Sequence, residues 1–128
     1  MLKIKPWWIA IFVPSNAWVT IYPNIYYPDS DNPNLEPEII AHENVHLKQQ
    51  SEYGLLKWMW RYFTNKAFRL DQEAKAMAVE LLTRPEAMRE DYIKYYAGNL
   101  SGSFYHHAAS SFESAAQKIR DEIAVLNK

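Results

Sequence analysis

The residues His42-Glu43-Asn44-Val45-His46 have the types and the spacing of a site that holds a metal ion and activates water. Two histidines four apart on a helix differ by about 40° around the axis and stand one turn apart, so both imidazoles reach one ion. Glu43 sits about 100° round from His42, off the ligand line but beside the metal, where its carboxylate suits a water better than the ion. Zinc held this way would lower the pKa of that water to about 7. Glu43 would take the proton as the oxygen attacks a peptide carbonyl, then pass it to the leaving amine. The spacing predicts a small zinc-dependent metallopeptidase with His42 and His46 as ligands and Glu43 as general acid/base. A chain of this composition, shuffled, would contain the pattern with a probability of roughly one in a hundred. Ile39-Ile40-Ala41, Val45 and Leu47 make the helix partly buried, against the alternative of a surface helix with two unrelated histidines.

A catalytic zinc normally has three protein ligands and one open position. A third histidine six residues after His46, with glycine midway, is excluded, because Glu52 and Gln49 occupy those places. Glu52 lies on the same helix and faces elsewhere. No Asp or Glu occurs between Glu52 and Asp71, so Asp71, Glu73 and Glu80 are the next candidates. Glu73 is followed by Ala74, Ala76 and Ala78, whose small side chains allow close approach to the His42–His46 helix. Glu73 is the expected third ligand, with Glu80 and Asp71 as alternatives.

The elements around these residues read as a short β part followed by helices, an α+β plan. Trp7–Val13 and Ala17–Tyr22 are strand candidates, and Ile25–Tyr27 continues the extended path after Pro23-Asn24. A polar loop over Pro28–Pro37 leads into a helix from Glu38 to Tyr53, stopped by Gly54. Further helices are predicted over Leu55–Thr64, Leu70–Thr83 and Glu86–Tyr96, with a loop at Ala97–Gly102. Ser110 or Ser111 caps a last amphipathic helix ending near Leu126. Trp58, Trp60, Tyr62 and Phe63 are assigned to the core.

With 128 residues the chain is expected to form a single domain, 1–128. A net charge of −1 without any Lys/Arg run argues against a nucleic-acid partner. The absence of cysteine excludes disulfides and thiolate ligands, leaving histidine and carboxylate to hold any metal. The apolar run Trp7–Val13 is too short to span a bilayer and is a weak match to a signal peptide. The expectation is a soluble, cytoplasmic protein with no membrane insertion.

His42-Glu-Asn-Val-His46 with Gln49-Gln50, followed by Asp71-Gln-Glu73-Ala-Lys-Ala-Met-Ala78, resembles the gluzincins, in particular the very small minigluzincin-type and phage-encoded proteins. The resemblance covers roughly residues 17 to 82. It implies a zincin-like fold: a short antiparallel or mixed sheet packed on the active-site helix, a second helix giving the glutamate ligand, and further helices. It also implies zinc as cofactor and a peptide or protein substrate added as a strand to an edge within Ala17–Tyr27. Some minigluzincins are self-blocked, so a latent form is a further implication. The long helical spacer Leu55–Arg69 departs from the pattern and bears on the choice of carboxylate.

An oxyanion donor is also needed, and Tyr105, His106 and His107 are candidates beside Tyr26, Tyr27 and Tyr96. His106 or His107 could instead cap the metal in a latent form. Gln50, one turn after His46, and Asp71 could hydrogen-bond around the ligands. The competing reading is a catalytically inactive zinc-binding structural or interaction protein.

Overall fold

The computed structural model describes residues 2–5, 17–28 and 36–128. The expected strand Trp7–Val13 and most of the Pro28–Pro37 loop lie outside the described residues. The described part is α+β: a small three-stranded mixed sheet and five α-helices.

The strands are β1 (Leu2–Ile4), β2 (Val19–Ile21) and β3 (Asn24–Tyr27), in the order β1-β3-β2. β2 and β3 form an antiparallel hairpin closed by the Ile21–Asn24 pair. The chain thus reverses at Tyr22-Pro23, correcting the expectation that Ile25–Tyr27 extends the second strand. β1 pairs in parallel with β3, Leu2 opposite Ile25, and Leu2–Lys5 carried no strand signal of its own.

Helix α1 spans Pro37–Tyr53, starting on a proline whose missing N–H costs nothing in a first turn. It ends at Gly54, whose φ of 90° disfavours a side chain. Helix α2 (Leu55–Thr64) follows directly. Asn65 then caps α3 (Lys66–Thr83), its side chain accepting from the Phe68 N–H at 3.0 Å. That cap is why α3 starts one turn before the expected Leu70. After a 3-10 turn at Glu86–Met88, α4 runs over Arg89–Ser101, so the expected loop at Ala97–Gly102 is helical up to Ser101. Ala97 and Leu100 are buried there, and packing holds a segment that Gly98 and Asn99 disfavour as helix. A second 3-10 turn, Ser103–Tyr105, leads to α5 (Phe112–Leu126), capped reciprocally by Ser111 and Ser114.

Helix α3 is the centre of the molecule, packed between α1 and α5. Ala74, Ala76, Met77, Ala78 and Leu81 of α3 are fully buried. Ile93, Ala97 and Leu100 of α4 and Ala115, Ala116, Ile119 and Ile123 of α5 complete one apolar cluster with α3. The stripe on α5 therefore packs on the body of this chain, with Phe112 and Leu126 at its exposed ends. Ala74 and Ala78 face that cluster, while Glu73 of the same helix reaches the histidines of α1. Among the described residues no helix is long and apolar enough to cross a membrane.

Candidate metal centre

His42 and His46 leave α1 one turn apart and are both buried, their ring centroids 5.0 Å apart. Glu73 enters from α3. Its Oε2 lies 3.4 Å from His42 Nε2 and 3.2 Å from His46 Nε2. One donor atom from each residue falls within 4.8 Å of the other two, and this is the one such cluster among the described residues. Ligands about 2.0–2.1 Å from a tetrahedral ion are about 3.3–3.4 Å from one another. The spacing of the donor atoms, and their identity as two imidazoles and one carboxylate, thus fit a divalent metal ion.

Each donor is oriented by a partner. Nδ1 of His42 lies 3.0 Å from Glu80 Oε1. The remaining oxygen of Glu80 accepts from Arg84 Nε at 2.9 Å and from the Tyr96 hydroxyl. Nδ1 of His46 lies 2.9 Å from Gln49 Oε1, and the Gln49 amide donates to the Gln72 carbonyl at 3.1 Å. The Tyr62 hydroxyl donates to Glu73 Oε1, the oxygen turned away from the histidines. Bonds at the outer ring nitrogens select the tautomer whose Nε2 lone pair faces the metal position.

The charges are coupled. Burial opposes the charged form of His42, but the carboxylates of Glu73, Glu80 and Glu43 outweigh it and push the imidazole up to about 10. His46 is also raised, by Glu73 against its burial. Burial raises the Glu73 carboxyl, yet the two imidazoles outweigh that and hold it well below the usual carboxylate range. The raised imidazoles thus bring positive charge into a pocket otherwise lined by carboxylates.

Glu43 points to the other side of the cluster, where its Oε2 accepts from the Thr20 hydroxyl of β2 at 2.7 Å. Gln50 also faces β2, accepting from the Tyr22 N–H at 2.7 Å and donating to the Thr20 carbonyl at 2.8 Å. It ties strand to helix and makes no bond to either histidine, contrary to the role expected of it. Asp71 pairs with Lys75 at 2.9 Å and Lys118 at 3.1 Å and likewise leaves the histidines alone. Its place on α3 points it at α5.

His42, Glu43, His46 and Glu73 form one wall of a cavity of about 500 Å³. Residues of β2, α2 and the Ser103–His106 turn line it further, as do Gln50 of α1 and Arg69 of α3. A second cavity of about 280 Å³ shares Trp18, His42, Glu43, Phe104 and Tyr105 with the first and adds Glu80, Tyr95, Tyr96 and Asn99. Of the oxyanion candidates, Tyr105 lines both cavities, His106 the larger and Tyr96 the smaller one. His107 is exposed and held by its Nδ1 to the Ser101 carbonyl at 2.8 Å. Burial, then the nearby Glu73 and Glu43 charges, hold the Tyr105 phenol well above its ordinary value, keeping it a donor. The aromatic group on α2 is split. Trp58 is buried and Tyr62 partly so, whereas Trp60 and Phe63 are 72% and 64% exposed, correcting their assignment to the core.

Scans against family models, curated proteins and solved structures found no match to this chain.

Proposed function

We propose that the chain is a zinc-dependent peptidase of gluzincin type, built on a small zincin-like fold, with His42, His46 and Glu73 as metal ligands. The observation that carries this reading is the convergence of His42 Nε2 and His46 Nε2 on Glu73 Oε2, at 3.4 and 3.2 Å, with Glu43 lining the same cavity. Zinc there would supply a Lewis acid that polarises a substrate carbonyl and lowers the pKa of a water to about 7.

The chain's own groups do the rest. Glu43, steadied by Thr20, removes the proton of the attacking water and delivers it to the leaving amine nitrogen. Tyr105 donates its hydroxyl proton in a hydrogen bond to the oxyanion of the tetrahedral intermediate. Glu80, Gln49 and Tyr62 fix the rings and the carboxylate so that the donor atoms do not have to be ordered on metal binding. An extended peptide lies along the outer edge of β2. Gln50 already occupies the Thr20 carbonyl and the Tyr22 N–H on that edge, so the peptide pairs toward Trp18.

Glu43→Gln tests the reading. The variant should keep about one zinc per chain and lose at least about 100-fold in hydrolysis of an unstructured protein. Equal hydrolysis by the variant would reject it. A zinc-bound wild type that hydrolyses nothing would instead favour a zinc-binding interaction protein.

A further inference from the structure

Arg69 is buried, with 4% of its surface exposed, yet among the described residues no carboxylate forms an ion pair with it. An isolated buried cation is costly, so its donors must be satisfied by other means. All three guanidinium nitrogens reach backbone carbonyls. Nη1 donates to the Tyr62 carbonyl at 2.5 Å, Nε to that of Tyr105 at 2.9 Å and Nη2 to that of His106 at 3.4 Å. The planar guanidinium presents donors in a fixed fork, which lysine cannot reproduce.

Through these three carbonyls Arg69 joins α2 to the Ser103–His106 turn. Tyr62 is the residue whose hydroxyl holds Glu73. Tyr105 and His106, at the end of the 3-10 turn, line the same cavity as Glu43 and Glu73. The turn's own bonds run back to α4 and within itself, from the His106 N–H to Ser103, the His107 N–H to Gly102 and the His107 ring to Ser101, and Arg69 adds the tie to α3. His106 and His107 both have φ of 53°, a left-handed conformation uncommon outside glycine that Asn, Asp and His adopt more readily than other side chains. Arg69 stands one helical turn before Glu73, on the same face of α3, so the clamp and the ligand share one rigid element.

We infer that Arg69 is a positioning residue, which holds the Ser103–His106 turn against the end of α2 and thereby sets the Tyr105 hydroxyl over the reacting carbonyl. The inference rests on the peptidase reading for its catalytic half. Its geometric half, the holding of the turn, stands independently.

The test is a double-mutant cycle on the full-length, zinc-loaded chain: wild type, Arg69→Lys, Tyr105→Phe and the two together. Hydrogen exchange is followed at the His106 and His107 amides, which donate to Ser103 and Gly102. Arg69→Lys should lower kcat about 10- to 100-fold, with KM changed less than about threefold and zinc content unchanged. In the Tyr105→Phe background it should cost nothing further. The two turn amides should exchange at least about tenfold faster, while those of the α3 core keep their protection. Arg69→Gln, which loses the charge but keeps hydrogen-bonding capacity, replaces lysine if that variant does not fold. Losses that add in full, or a loss confined to zinc content, would overturn the catalytic role. Unchanged exchange at the turn would overturn the clamp. If zinc-loaded wild type hydrolyses nothing, the peptidase reading and the catalytic role fail together, and the exchange result alone decides whether Arg69 holds the turn.

Discussion

Glu80 Oε1 lies 3.0 Å from His42 Nδ1, joining residues 38 positions apart in the chain. It gives His42 two carboxylate neighbours, one on each ring nitrogen. Glu73 meets Nε2 and Glu80 meets Nδ1. Both come from α3, two turns apart. One helix therefore supplies both carboxylates that face His42, and its position relative to α1 governs both contacts.

Glu80→Gln removes the negative charge behind His42 while keeping an acceptor for the ring N–H. Zinc affinity, read by competition with a chelator, should fall about 10- to 100-fold. Because Arg84 and Tyr96 also rely on Glu80, some stability should be lost as well. Unchanged affinity would mean that Glu80 serves the fold alone.

Tyr62→Phe should act on the same quantity from the opposite side, since it removes the donor to the outer oxygen of Glu73. A drop in zinc affinity is expected, with a stability loss of about 1 kcal/mol for the missing hydrogen bond. Denaturant melts with and without zinc separate the two effects.

The metal-free protein should show a pH profile set by the cluster. His42 is raised from 6.5 to about 10 in the folded state. Its contribution to stability is therefore complete below about pH 6.5 and is lost as pH rises toward 10. Glu73 is depressed below 4.5, so its contribution is present above that pH and is lost as pH falls. Urea midpoints of metal-free protein should be highest between about pH 4.5 and 6.5. Zinc has the opposite trend, because it must displace protons from the imidazoles, so the stabilisation it confers should grow with rising pH. A metal-free profile that climbs from pH 6.5 to 9 would contradict this arrangement of charges.

Much of the site was legible because its signals are local. His42, Glu43 and His46 lie within one helical turn, and the alanines after Glu73 mark a helix that must pack closely. The α2 boundaries and the Ser111 cap were equally local. What escaped was decided by packing across the chain. Glu80 was weighed as a ligand, since spacing puts it on the face of Glu73 but does not say which nitrogen of His42 it meets. Tyr62 and Arg69 belong to no motif, and their roles exist only once α2, α3 and the Ser103–Tyr105 turn are brought together. Helical spacing puts Gln50 on the metal side, but its amide bonds the Thr20 carbonyl and the Tyr22 N–H of the strand packed against α1. Gln49, one residue earlier and three after His46, had the reach to its Nδ1, and that i,i+3 spacing was the available signal. Helix α4 outran its prediction because Ala97 and Leu100 are buried, a tertiary gain that local propensity does not record.

Zinc-edge anomalous diffraction from crystals of the zinc-loaded chain locates the ion and its ligands. One peak is expected about 2.0–2.2 Å from His42 Nε2, His46 Nε2 and an oxygen of Glu73, with Glu80 remaining on His42 Nδ1. No peak at that position, or a peak with Glu80 or Asp71 as the carboxylate ligand, would contradict it.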